Sequence, residues 1–198
     1  MTMTFSSISK LVRDPLTIAI GASLALLLIG ELLSPGFARG GQIVSLLTVA
    51  AILGIVSAGQ NIVILGGREG IDLSVGAMIS FGAVLAGNMM NGQDSGIFLA
   101  VVVAAVVPFM IGIVNGIGIT FVRIPPLVMT LGMTAVIQGG LVVYSQGVPS
   151  GAAAPMLSQF INRPLVFGIP GILFVWVAIA AIMIFVLRRT AFGFSVYA

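Results

Sequence analysis

Six continuous apolar runs constrain this chain more than any other feature. They cover residues 16–33, 43–65, 74–90, 97–120, 127–144 and 166–187. The hydrocarbon core of a bilayer is about 30 Å thick and a helix rises ~1.5 Å per residue, so roughly 20 apolar residues make one crossing. None of the runs alternates polar and apolar residues in the segments of about 10 residues that a barrel strand needs. Composition excludes a soluble domain. Hydrophobic residues make up 59% of the chain and charged residues 7%, against about 25% charged in soluble domains. A chain this short cannot hide so much apolar surface from water. The expected fold is all-α: a polytopic transmembrane helix bundle of about six spans.

The breaks between the runs organise the chain. Residues 1–14 read as an N-terminal segment, with Phe5, Ile8, Leu11 and Val12 near helical spacing and Lys10 and Arg13 between them, as in an interfacial helix. The apolar run that follows is long enough to span and Glu31-Leu-Leu-Ser-Pro is a poor cleavage site, so the segment reads as retained. Asp14-Pro15 is a helix start, an N-cap followed by proline at the first helical position. Ser34-Pro35-Gly36 ends the first run, and Arg123-Ile-Pro-Pro126 ends the fourth. Pro108 lies inside the fourth run, where packing must support the backbone groups it frees. Residues 145–165 read as a long loop rich in Gly, Ala and Pro. A glycine-rich break at 66–76 separates the second and third runs. Residues 43–90 are therefore either two full crossings or one crossing followed by a broken helix. With the N-terminus in the cytoplasm, six crossings place Lys10, Arg13, Arg68, Arg123, Arg188 and Arg189 inside. Only Arg39 and Arg163 fall outside, the bias that the positive-inside rule requires.

Cysteine and histidine are absent, which removes disulfides, thiol nucleophiles and the commonest metal ligand and proton shuttle. No metal site, cofactor or catalytic residue is expected. The formal charge of +3 comes from scattered basic residues that form no stripe for nucleic acid. Lys10 is the lone lysine and stands in no Gly-x-x-x-x-Gly-Lys-[Ser/Thr] motif, so ATP is not bound here through a P-loop. Glu69 and Asp72 have no defined partner for general acid–base work.

Six polar residues are candidates for a solute pathway: Gln60, Asn61, Asp72, Ser74, Asn115 and Gln138. Polar amides within a span face a bundle interior or a wet cavity rather than lipid, as pathway groups or as interhelical hydrogen bonds. Asp72 or Ser74 can cap the helix that follows the break. The break itself is either a tight cytoplasmic turn or a helix interruption beside a translocation path. Gly112-xxx-Gly116 and Ala83-xxx-Gly87 carry the spacing that lets membrane helices approach closely.

Gly66-Gly67 through Gly76, ending in Gly70-Ile-Asp-Leu-Ser-Val-Gly76, resembles the signature of the ribose-type permeases of bacterial ABC importers. Arg68-Glu69 departs from it as two charged residues inserted between the glycine pair and Gly70. The middle of the chain is also similar to that family, through Ile113-Val-Asn-Gly116 and Pro126-Leu-Val-Met-Thr-Leu-Gly132, with Leu127-Val128 where Phe-Ile is more usual. So is the end, Arg189-Thr-Ala-Phe-Gly-Phe-Ser-Val-Tyr-Ala198. The resemblance implies a permease domain over 15–198 in the bacterial inner membrane. It implies as partners a second permease copy or paralogue, cytoplasmic ATPase subunits and a periplasmic solute-binding protein. The solute would be a sugar or a similar small polar molecule. It also implies that the chain covers about the first two-thirds of a permease, stopping before the segment that couples to the ATPase. A nucleoside or amino-acid permease and an ion-coupled carrier are the competing readings. The carrier is disfavoured because coupling sites need ionisable groups inside spans, and the charges here cluster at ends and turns.

Overall fold

The computed structural model describes residues 14–67, 70–166 and 168–197. The interfacial helix expected over 1–13 lies outside the described residues, as do Lys10, Arg13, Arg68 and Glu69. All six apolar runs form helices: α1 (Pro15–Leu33), α2 (Gly40–Gly66), α3 (Val75–Met90), α4 (Ile97–Thr120), α5 (Pro126–Ser145) and, after a short helix α6 (Pro155–Asn162), α7 (Gly171–Arg189). A terminal helix α8 covers Ala191–Tyr197. By length and apolarity α1, α2, α4, α5 and α7 can each cross a membrane. With 16 residues, α3 is about 24 Å long, short of the ~30 Å hydrocarbon core. Residues 43–90 thus form one full-length helix, a break and a short helix.

The chain divides into two compact units, residues up to Leu47 and Thr48–Ala198. In the first, Asp14 caps α1 by accepting from the Thr17 amide at 3.2 Å, as expected from the Asp-Pro pair. No residue of α1 is buried, and Leu26 is 67% exposed. A helix apolar all round belongs in lipid. Its C-terminal end is closed by Glu31, whose carboxylate accepts from the amides of Gly36 at 2.9 Å and Ala38 at 2.7 Å. Charge-assisted bonds to two otherwise unpaired N–H groups offset the cost of a carboxylate at the end of an apolar span.

In the second unit α3 packs against both α4 and α5. Pro108 stands inside α4 and cannot donate to the carbonyl of Ala104, which faces Gly82 of α3. Between α4 and α5 the chain turns through Arg123 in the left-handed region (φ 61°). Ile124 N donates to the Gly118 carbonyl at 3.1 Å there, and Pro126 opens α5. The region 145–165 is more structured than expected. Ala154-Pro155 starts α6, and Pro164–Val166 pairs antiparallel with Ile169–Pro170. Gly168, at φ 78°, supplies the reversal. This hairpin delays the last long helix, which begins at Gly171 rather than 166.

The far end of α3 is sealed by backbone. The Gly87 carbonyl accepts from Asn91 N at 2.8 Å and Ala152 N at 3.2 Å, and Gly92 N donates to Ala152 O at 2.9 Å. Asp94 accepts from Met156 N at 2.9 Å, capping the start of α6 from a distance in sequence. Met90, Ala100 and Ala154 form a small buried core there, with Leu157 of α6 against it.

Candidate functional site

The break between α2 and α3 is drawn back into the bundle. Gly70 N donates to the Gly67 carbonyl at 3.2 Å, which turns the chain. A Cβ on Gly70 would stand 2.2 Å from the Val63 carbonyl oxygen, so the returning strand lies against the last turn of α2, where a side chain would not fit. From there Ile71–Ser74 runs into polar side chains of α4 and α5. Asp72 Oδ1 accepts from Ser74 N at 2.8 Å and from the Ser74 hydroxyl. The Ser74 oxygen accepts from Asn115 Nδ2 at 3.1 Å. Thr130 and Thr134 each have one hydroxyl proton within reach of two or more carbonyls. Thr130 reaches Ile71 O at 3.4 Å and Pro126 O at 2.9 Å; Thr134 reaches Leu73 O at 3.2 Å and Thr130 O at 2.8 Å.

Burial shows that this is an interior site. Ser74 is 0% exposed, Thr130 2% and Asn115 4%. Asn115 lies about five residues before the end of α4, and Thr130 about four residues into α5. The break therefore sits roughly 6–8 Å inside the helix ends. That recess accounts for the shortness of α3. The loop's carbonyls, which a bilayer would leave unsatisfied, are met by threonine hydroxyls instead.

A cavity of about 340 Å³ opens beside the break, walled by the last turn of α2, the loop, α4 and the start of α5. Asp72, Asn115 and Thr130 are its polar lining, and Gly112 and Gly116 form part of its α4 wall. Among the described residues no lysine or arginine lines it. The Oδ1 atom of Asn115 is buried without a hydrogen-bond partner among the described residues.

The structure brings together three of the six expected site residues: Asp72, Ser74 and Asn115. Gln60 and Asn61 lie together on α2, along a separate open groove with Ser57, Ala58 and Ile64. Gln138 is exposed, one turn beyond Thr134 on α5. Two expectations are corrected. Ser74 stands at the N-cap of α3 but its side chain makes no capping bond. Its hydroxyl proton goes to Asp72, and Asp72 closes a turn onto the Ser74 amide instead of reaching α3. Gly112 and Gly116 do not meet a neighbouring helix closely, since a Cβ at either would have nothing within 4 Å; they leave the cavity open. Gly87 does make a close approach, to the backbone of Gly151. Sequence reasoning missed Thr130 and Thr134. Their signal was present as two hydroxyls four residues apart in an apolar helix, on one face and just after the Arg-Ile-Pro-Pro stop.

Long apolar helices around a recessed polar break define a polytopic helical membrane protein. Residues 42–198 match the family described as branched-chain amino acid transport system / permease component, and the chain belongs to that family. It is 34% identical over 175 residues to the ribose import permease protein RbsC of Bacillus subtilis, covering 87% of this chain and 53% of that protein. It is 31% identical over 186 residues to the fructose import permease protein FrcC of Rhizobium meliloti, covering 88% of this chain and 50% of that one. It is 33% identical over 149 residues to the autoinducer 2 import system permease protein LsrC of Escherichia coli O157:H7, covering 75% and 42%. The chain spans about half the length of the curated relatives it matches. No solved structure matches it.

Proposed function

We propose that this chain acts as a membrane-spanning permease subunit of an ATP-binding-cassette importer, passing a monosaccharide or similar small polar solute across the bacterial inner membrane. The observation that carries the reading is the recessed break. Asp72, Ser74 and Asn115 lie within an apolar bundle, beside a cavity that glycines keep open. Burying such groups away from a bilayer's edge is costly unless they serve packing or passage. Similarity to import permeases named for ribose, fructose and autoinducer 2 supports the transport role. In this reading Asp72, Ser74 and Asn115 hold the break beside the path, and Gln138 continues the polar face of α5 beyond Thr134. Energy comes from cytoplasmic ATPase subunits, as the resemblance to import permeases implies. A periplasmic binding protein delivers solute, and a second permease copy or paralogue completes the pore. The helices alternate between outward- and inward-open arrangements. The N-terminus is cytoplasmic, on the charge bias of six basic residues inside against two outside.

The family's description favours a second reading, an amino-acid solute. A zwitterion brings a carboxylate that needs a cation when desolvated, and the described cavity lining supplies none. Uptake of radiolabelled ribose, fructose and leucine by the chain assembled with its ATPase and binding protein decides between them. ATP-dependent uptake of a sugar is expected. Leucine uptake without sugar uptake would overturn the solute class, and uptake driven by an ion gradient without ATP would overturn the importer reading.

A further inference from the structure

The Asp72 network and the polar face of α2 differ in one respect that separates their roles. At the break, Asp72, Ser74, Asn115 and Thr130 spend hydrogen bonds on one another and on the loop. In the second half of α2 three polar side chains make no such bonds among the described residues. Ser57, Gln60 and Asn61 fall at helical spacing on one face and line, with Ala58 and Ile64, an open groove of about 470 Å³. Asn61 and Ser57 are exposed. Gln60 Oε1 is buried yet has no hydrogen-bond partner among the described residues. Ile52, about a third of a turn round α2 from this face, is an exposed apolar residue, as lipid-facing residues are. Hydrocarbon offers two carboxamides and a hydroxyl neither donors nor acceptors. This face therefore needs either water and solute or a polar protein partner.

We infer that the Ser57–Gln60–Asn61 face of α2 is the wet wall along which solute moves, and that it suits a neutral, polyhydroxylated solute. A carboxamide presents two N–H donors and an accepting oxygen, and a hydroxyl does both. A sugar ring presents the same mixed donors and acceptors at each hydroxyl. No charge lies on the face, so an anionic solute would lose hydration there without compensation. The inference rests on the permease reading and assigns solute contact to α2 and a holding role to the Asp72 network.

The chain contains no cysteine, so single thiols can be introduced without a prior background substitution. Ser57→Cys, Asn61→Cys, Ile52→Cys and Ser74→Cys are made in the full chain, assembled with its partners in membranes. Each is treated with a charged, water-soluble methanethiosulfonate. The thiolate attacks the reagent's sulfenyl sulfur and expels methanesulfinate, and an apolar environment suppresses the thiolate. S57C and N61C should therefore react at least ~10-fold faster than I52C, with S74C inert. Saturating transported sugar should slow N61C labelling, and leucine should not. Asn61→Leu, which suits either lipid or a helix seam, should cut sugar uptake severalfold without lowering the thermal midpoint. If S57C and N61C react only with an apolar maleimide, or cross-link between two copies while ignoring the charged reagent, the face is a helix–helix seam and the inference fails. If sugar uptake is intact in that case, the permease reading survives. Rapid labelling that no sugar slows would overturn the assigned solute class.

Discussion

The two ends of α3 are held in opposite ways. At its C-terminal end the contacts are mainly backbone to backbone: Gly87 to Asn91 and Ala152, and Gly92 to Ala152, over a core of Met90, Ala100 and Ala154, with one side-chain bond from Ser150 to Asn88 beside them. At its N-terminal end the contacts come from side chains of other helices, Asn115, Thr130 and Thr134, acting on the loop 71–74. Backbone pairing depends on chain path and tolerates many side chains. A side-chain network depends on particular hydroxyls and amides and can be broken or re-formed one bond at a time. The sealed end thus behaves as a fixed mount, and the polar end is the place where a small rearrangement can alter the cavity.

That contrast can be broken by substitution. The largest effect is expected at the sealed end. Gly151 has φ +103°, and a Cβ there would lie 2.4 Å from the Gly87 carbonyl carbon. Gly151→Val should cost about 3 kcal/mol or more through left-handed strain and backbone overlap, read as a large drop in thermal midpoint and in folded yield. Next is Gly70→Ala, whose Cβ would overlap the Val63 carbonyl. It should cost ~2 kcal/mol and should depress uptake beyond what its folded fraction explains. Loss of stability with normal specific uptake would remove the distinction between the two ends. Asp94→Ala deletes the cap on Met156 and should cost ~1 kcal/mol, with specific uptake unchanged. The smallest effect is expected for Thr134→Val, about 0.6 kcal/mol, the average found for interhelical hydrogen bonds in membranes. Thermal unfolding in detergent, with uptake normalised to folded protein, measures all four.

Much of the fold could be read from the residues because lipid imposes a simple rule. Long apolar runs must be helices, and Asp14-Pro15, Ser34-Pro35-Gly36 and Arg123-Ile-Pro-Pro126 mark ends that backbone chemistry requires. The break at Gly66–Gly76 was legible as an interruption, since four glycines and three charges cannot continue an apolar helix. Its depth was not legible. Whether a turn lies in water or is drawn inward depends on Gly70 fitting against Val63 and on threonines about sixty residues away. Local pattern carries no record of that pairing. Asn115 and Ser74 were each recognisable as candidate polar residues, but their pairing was not. The region 145–165 was misjudged for a similar reason. Composition rich in Gly, Ala and Pro marks a loop, while α6 is fixed there by Asp94 and by the buried Ala154, both features of tertiary contact.

The Ser74–Asn115 bond ties the break inside the bundle. A double-mutant cycle of Ser74→Ala and Asn115→Ala, read from reversible unfolding in detergent, tests it most directly. The two substitutions should not be additive, with a coupling of about 1 kcal/mol, between the ~0.6 average and ~1.7 maximum for such bonds in membranes. Additivity within about 0.3 kcal/mol would mean that the two side chains do not meet, and that the break lies at the surface of the bundle.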